Sequence, residues 1–303
     1  MTKPPPIWTP KSILEWTEDF LQRKGVPSPR LDAELLLAHV LECQRIDLYL
    51  QFQRPLEAGE LSRFRELVRL RGGRKPVAYL LEEAGFWNLT LRVTEATLIP
   101  GPDTEILVEG ILAAISALRA TAAADSPLLA VELGTGTGAV PLAVCSEAEG
   151  IEWIAVEHSP AAMAVAAENK RRHAGLLTPR GNALHLVLGD RFESIRPLRP
   201  LHLIAGNPPY IPTGRIDGLM PEVSGHMPRM ALDGGVDGED FQRYLLDFAL
   251  ERLAPGGRVV LEMGAEQSAS LAAAIEARQG LALVEIRQDL AGHDRVLHGE
   301  RTD

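Results

Sequence analysis

The sequence predicts an α/β protein, a doubly wound and mostly parallel sheet of about seven strands preceded by a small helical bundle. Three observations predict it. From about Pro10 to Leu81, apolar residues recur at spacings of three and four and no strand pattern interrupts them. Beyond Leu128, short apolar runs alternate with helical stretches, the layout of successive β-α-β units. The first of these runs passes straight into Gly134-Thr135-Gly136-Thr137-Gly138, a strand, glycine turn and helix in which the backbone can approach a nucleotide-like ligand closely.

Taken in order, Ile13, Trp16 and Phe20 share one helical face, and Leu31, Leu35, Ala38 and Leu41 share another. Ser28-Pro29 reads as an N-cap followed by proline at the first helical position. Residues 1–82 are expected to form a helical bundle, either a separate domain that binds a partner or a cap packed on the next domain. The period then changes to two: Trp87, Leu89, Leu91 and Val93 alternate with Asn88, Thr90, Arg92 and Thr94, so 83–97 reads as a strand or hairpin linker. Residues 98–303 form the second domain. Leu98-Ile99-Pro100-Gly101-Pro102 is a shaped loop, after which Asp103 or Thr104 caps a helix bearing Leu107, Ile111, Ala114 and Leu118. Residues 120–126 read as a surface connection.

Strands are expected at Leu128–Leu133, Glu152–Val156, Leu184–Leu188, Leu201–Ala205 and Arg258–Met263. Two more, Leu281–Arg287 and Arg295–His298, follow each other closely and so form an antiparallel pair. Ser159-Pro160 caps a helix, and Met220–Glu239 is a loop long enough to serve as a lid, with His226 and Arg229 in it. Phe241, Leu245 and Phe248 mark the helix that follows.

The chain has 303 residues, 46% of them hydrophobic and 24% charged, with a formal net charge of −10. Gripping nucleic acid through its phosphates requires a basic stripe, and no dense Lys/Arg run is present. Cys43 and Cys145 lie far apart, which suggests neither a disulfide framework nor a cysteine metal site. The proline-rich start has no apolar signal segment and no long uncharged apolar run follows, so a cytoplasmic protein is expected, with no metal and no membrane partner.

The chemistry gathers at strand tips. Gly134 to Ala139 also satisfies a dinucleotide fingerprint, so a nicotinamide cofactor is a competing reading. Glu157, at the end of the second strand, is placed to accept ribose hydroxyls, a demand shared by both cofactor types. Asp190 can accept from an adenine amine or cap the next turn, with Arg191 or Phe192 near the ring face. Asn207-Pro208-Pro209-Tyr210 follows the fourth strand. Asn207 offers an amide acceptor and donor, the prolines stiffen the loop and leave carbonyls free, and Tyr210 adds a flat face. The same four residues also make an ordinary turn after a strand.

Asn-Pro-Pro-Tyr after a strand resembles the signature of S-adenosylmethionine-dependent methyltransferases that modify a planar nitrogen. With Arg74 to Leu80, Leu98 to Glu105, Glu132 to Gly138 and Asp289 to Arg295, the whole chain resembles the release factor glutamine methyltransferases of the PrmC/HemK type. That resemblance implies a seven-stranded, Rossmann-like methyltransferase domain after an N-terminal helical domain. The implied cofactor is S-adenosyl-L-methionine, contacted by Gly134, Thr135, Gly136, Thr137, Gly138, Glu157, Asp190, Arg191 and Asn207. The implied substrate is the glutamine of the Gly-Gly-Gln loop of bacterial peptide chain release factors, held by Asn207, Pro208, Pro209 and Tyr210. Of these, Asn207, Pro208 and Tyr210 would be catalytic. Two positions depart from the family pattern: Gly101, where arginine is usual, and Arg191, where an aromatic is common. Adenine-specific DNA methyltransferases share the tetrad, ribosomal-protein glutamine methyltransferases share the chemistry, and an inactive binding module would share the fold.

Overall fold

The structure, a computed structural model, describes residues 7–121, 127–192, 195 and 200–303. Of the expected connection at 120–126, residues 122–126 lie outside the described residues, and Ala120 and Thr121 belong instead to a helix. The chain divides into two units. One holds the described residues up to Glu83 together with Met220–His226; the other holds Ala84–Leu219 and Met227–Asp303.

The first unit is helical: α1 (Pro10–Arg23), α2 (Pro29–Val40), α3 (Arg45–Leu50), α4 (Ala58–Gly72) and α5 (Val77–Leu81). Thr9 and Ser12 start α1 with a reciprocal capping box, and Pro10 takes the first position, where a missing N–H costs nothing. Ser28 does stand at the N-cap of α2 before Pro29, but its side chain makes no cap bond. The buried face of α2 also differs from the expected one. Ala38 is buried as expected, but Ala33, Leu36, Leu37 and Val40 are buried with it, whereas Leu31 is exposed. Apolar spacing misled because this helix buries charge as well. Glu34 is buried, bonded by Arg30 (2.6 Å), Arg45 (2.7 Å) and Tyr49 (2.5 Å), and Asp32 is buried against Arg71 (2.7 Å). On α1, Ile13 is buried as expected, but Trp16 is nearly half exposed and stacks on Phe20 at 5.4 Å.

Arg71 also reaches Glu222 (2.9 Å), which Arg74 holds with a second, two-point grip (2.7 and 2.5 Å). Burial works to raise the Glu222 pKa, but the Arg74 and Arg71 guanidiniums overcome it and hold the carboxyl at about 2. In this way the first part of the expected lid loop, Met220–His226, belongs to the helical unit.

A hairpin, β1 (Glu83–Phe86) and β2 (Leu89–Arg92), leads into the second unit and is one of the two forms expected for 83–97. Trp87 turns the chain with φ of 56°. Phe86, Leu89 and Leu91 are buried in the core of this unit, and Asn169 bonds both the N–H and the carbonyl of Arg92. Helix α6 (Pro102–Thr121) follows. It begins at Pro102, so Asp103 and Thr104 lie inside its first turn and do not cap it, because proline suits the opening position.

Then come β3 (Leu128–Leu133), α7 (Ala139–Glu147), β4 (Ile151–Glu157), α8 (Pro160–Arg172), α9 (Ala174–Leu177), β5 (Ala183–Leu188) and β6 (Leu201–Gly206). Ser159 caps α8 as expected, accepting from the Ala162 N–H. After the short α10 (Pro221–Ser224), which lies in the helical unit, the chain continues through α11 (Asp240–Arg252), β7 (Leu253–Glu262), α12 (Ser268–Glu276), β8 (Leu281–Gln288) and β9 (Asp294–Arg301).

The seven-stranded sheet has the order β5-β4-β3-β6-β7-β9-β8. All pairs from β5 to β7 are parallel, and β9 lies antiparallel between β7 and β8. Alternation sorts the core into two layers. Ala130, Trp153, Ala155, Leu203, Ala205 and Val260 pack with α6 and α7, while Val131, Val156, Ile204 and Leu261 pack with α11 and α12. The chain order reverses between β3 and β6, which makes that boundary the switch point where open α/β sheets bind ligands.

Replacing Arg71 by Met strands the buried Asp32 carboxylate, and is expected to cost about 3–5 kcal/mol of stability in urea unfolding. Because the Glu222 pKa is depressed, its contribution is present above pH 4.5 and is lost as pH falls through about 2, which acid unfolding of the wild type and Glu222→Gln would separate.

Candidate active site

A cavity of about 400 Å³ opens at the switch point. Gly134, Thr135, Gly136, Thr137, Glu157, Asp190, Arg191, Asn207 and Pro209 of the sequence-derived set line it. Gly138, Pro208 and Tyr210 are not among the lining residues. The β3–β6 register pairs Glu132 with Ala205, so the glycine turn and Asn207 emerge side by side.

The turn is shaped by backbone. Gly134, Gly136 and Gly138 have φ of 74°, 56° and 77°, the left-handed region that glycine enters without steric cost. Gly138 starts α7, and a methyl group there would touch Leu142 and Ala166 of the neighbouring α8, so its role is packing. At Gly134 an added Cβ would meet nothing within 4 Å, which leaves the turn open to the cavity.

Glu157 is buried and fixed by two backbone donors. Its Oε2 accepts from the Gly136 N–H and its Oε1 from the Ser159 N–H, both at 2.9 Å. Each oxygen retains a lone pair for a ligand hydroxyl. Asp190 is exposed, with Oδ1 3.8 Å from His158 Nδ1. Arg191 takes φ of 49°, and its guanidinium lies 4.9 Å over the Tyr244 ring and 5.8 Å from that of Phe241. Phe241 itself lines the cavity, so an aromatic surface is present from α11 although position 191 is not aromatic. At Gly101, an added Cβ would have open space.

The tetrad is clamped from several sides. Asn207 Nδ2 donates to Thr104 Oγ1 at 3.0 Å, which leaves Oδ1 as the acceptor. The Tyr210 hydroxyl donates to Glu262 Oε1 at 3.2 Å, and burial beside that acid raises the phenol's pKa. Gln267 Nε2 donates to the carbonyls of Tyr210 (3.1 Å) and Gly238 (3.0 Å). The strand expected to begin at Arg258 starts at Leu253 and ends by delivering Glu262 to this edge. Of the long loop, Pro228, Met230, Ala231 and Asp233 line the cavity; Arg229 pairs with Asp217 at 3.1 Å. His226 lies in the helical unit, 3.4 Å from the Gly73 carbonyl.

Sequence reasoning missed Thr104, Glu132 and Glu262. Glu132 and Glu262 are each an acid inside a buried apolar strand, a signal of the kind that picked out Glu157. Both are buried, and their Oε2 atoms make no hydrogen bond. Burial pushes Glu132 up to about 8 and Glu262 up to about 7.

Fold and cavity together define a doubly wound α/β protein with a ligand cavity at its switch point. Over 300 residues the chain is 39% identical to the release factor glutamine methyltransferase of Geobacter sulfurreducens, covering 99% of each chain, and it is 35% identical over 290 residues to that of Rhodopirellula baltica, covering 96% of this chain and 95% of the relative. The chain belongs to the release factor glutamine methyltransferase family. Residues 12–81 match the model of the PrmC N-terminal domain. The solved catalytic domain of hMettl16, in complex with MAT2A 3'UTR hairpin 6, shares the fold at a TM-score of 0.52 and 14% identity, covering 70% of this chain and 75% of that one.

Because burial favours the neutral forms of Glu132 and Glu262, their contribution to stability is fully present below pH 4.5 and is lost as pH rises through about 7 to 8. The melting temperature should fall across that window. Glu132→Gln, which stays neutral, should flatten the fall.

Proposed function

We propose that this protein transfers a methyl group from S-adenosyl-L-methionine to the side-chain amide nitrogen of the glutamine in the Gly-Gly-Gln loop of bacterial peptide chain release factors. The observation that carries this reading is the placement of Asn207. Its amide is fixed through Nδ2, so an acceptor is left beside the glycine turn of the adjacent strand. The names of the relatives give a glutamine of a release factor as the acceptor.

The residues present fit the cofactor. An open glycine turn, a backbone-fixed carboxylate and buried, unpaired oxygens of Glu132 and Thr135 line a cavity sized for a nucleoside-bearing ligand. When bound, the cofactor supplies an electrophilic methyl group on a sulfonium sulfur. Glu157 would accept the ribose hydroxyls, the turn from Gly134 to Thr137 would lie against the amino-acid portion, and Asp190, with Arg191 and Phe241, would border the adenine.

A carboxamide nitrogen is a poor nucleophile because its lone pair is delocalised into the carbonyl. Asn207 Oδ1 and the Pro208 carbonyl would accept the two amide hydrogens, and so stabilise the positive charge that develops on nitrogen. The stiff Pro208-Pro209 loop would hold that geometry with little loss of entropy, and Tyr210 would lie against the amide plane. The methyl group would pass to the nitrogen with the carbon–sulfur electron pair left on sulfur, while Asn207 Oδ1 and the Pro208 carbonyl hold the amide hydrogens. The N–H proton then leaves to water, so no dedicated base is needed.

Mass spectrometry of a purified release factor incubated with the protein and S-adenosylmethionine should show one added methyl on the Gly-Gly-Gln peptide. Asn207→Ala should reduce the rate by about 10²–10³-fold or more while cofactor affinity is retained. Glu157→Ala should instead weaken cofactor binding by about 1.5–3 kcal/mol in calorimetry. Methylation of another glutamine, or of a nucleic-acid amine, would redirect the substrate assignment.

A further inference from the structure

Glu262 takes no part in the chemistry described above, yet it lies against the tetrad. The β6–β7 register pairs Gly206 with Leu261, so Asn207 and Glu262 leave neighbouring strand tips together. The carboxyl is 2% exposed. Its Oε1 accepts from the Tyr210 hydroxyl, and its Oε2 is buried without a hydrogen bond. The Thr104 hydroxyl stands beside it and favours the ionised form. Thr104 Oγ1 already accepts from Asn207 Nδ2, so its own single hydrogen is left to go elsewhere. The orphan acid oxygen is the acceptor at hand.

We propose that Glu262 is a positioning residue that sets which way the Asn207 amide faces: its carboxylate takes the Thr104 hydrogen, Thr104 can then only accept from Asn207 Nδ2, and Asn207 Oδ1 is committed to the substrate. The same carboxylate fixes the Tyr210 ring through its hydroxyl. One buried acid therefore orders two members of the tetrad, and a protonated Glu262 would undo the arrangement. As a donor to Thr104 it would free the threonine hydrogen for Asn207 Oδ1, and the amide would then present N–H groups to an amide substrate that also carries N–H groups. This inference rests on the proposed amide-methylating reading of the site.

The working form is the carboxylate, so turnover should fall as pH falls through the Glu262 pKa. The groups facing it are Tyr210, Thr104 and Asp103 from the start of α6, and Arg295 from β9, which pairs with Asp103 (3.3 Å) and Asp289 (2.8 Å). Burial, the largest influence, brings the carboxyl up to about 7.

The test is the pH profile of kcat for release factor methylation by the full-length wild type, E262Q, T104V and T104S, with S-adenosylmethionine affinity measured on each. The wild type should show an acid limb centred near 7. E262Q should lose that limb and run about 10²-fold slower at high pH, the scale of a misplaced reacting group, with cofactor affinity unchanged. T104V should match E262Q, the double variant should be no slower than either, and T104S should recover most of the activity lost in T104V. An acid limb retained in E262Q, or T104S as slow as T104V, would overturn the proposal. A second readout needs no substrate. The side-chain amide resonances of Asn207 in ¹⁵N NMR should shift with a midpoint near 7 in the wild type and not in E262Q. Resonances that do not titrate would overturn the inference by themselves. Failure of the wild type to methylate a release factor, with the amide still titrating, would instead count against the substrate reading.

Discussion

Strand parity governs this site. In a parallel sheet every strand ends at the same edge, and alternate residues face the same layer. Trp153, Ala155, Leu203, Ala205, Ala130 and Val260 all pack toward α6 and α7. Counting on by two from each brings Glu157, Asn207, Glu132 and Glu262 to that same face at the carboxyl edge. The contacts agree, since Asn207 bonds Thr104 of α6 and Glu262 is influenced by Thr104 and Asp103 of the same helix turn. A one-residue slip in any strand would turn its polar tip to the opposite layer. The apolar cores that set the register therefore also set the chemistry.

Three of those four residues are glutamates, and their surroundings give them different character. Glu157 accepts two backbone N–H groups, which offset the cost of burying its charge. Glu132 and Glu262 each retain an unpaired buried oxygen, and burial raises the pKa of both. Environment thus separates one fixed acceptor from two acids poised near neutrality. The arrangement costs stability as pH rises, and such a cost is expected where local packing serves a site.

How much of this was legible followed from the range of the interactions. The strands β3 to β6 could be read because each is a short apolar run ending in glycine or a polar residue. The glycine turn, Glu157 and the tetrad were legible for the same reason, being local patterns at strand ends. Thr104 was taken for a cap because its partner lies 103 residues away in the sequence. The buried face of α2 was misread because Asp32 and Glu34 are buried there through arginines on other helices, an arrangement that apolar spacing does not record. Between a single strand and a hairpin over 83–97 the sequence does not choose, because alternating side chains continue through Trp87; only the backbone conformation breaks.

The two departures from the family pattern have different consequences. At Arg191 the planar guanidinium stacks on Tyr244, and Phe241 of the same helix lines the cavity. A flat surface is thereby retained, with a positive charge at its rim. A cation over an aromatic face is held by the ring's quadrupole, so this arginine is anchored despite its exposed position and left-handed backbone. Gly101 has no such replacement: the space that a side chain would take is open, directly before the helix turn that carries Asp103 and Thr104. That turn holds Asn207 through Thr104 and meets Arg295 through Asp103. Its position therefore depends on Pro102 at the helix start and on the Arg295–Asp103 pair, so the tetrad's alignment rests on contacts from β9 as well as on the strand that bears it.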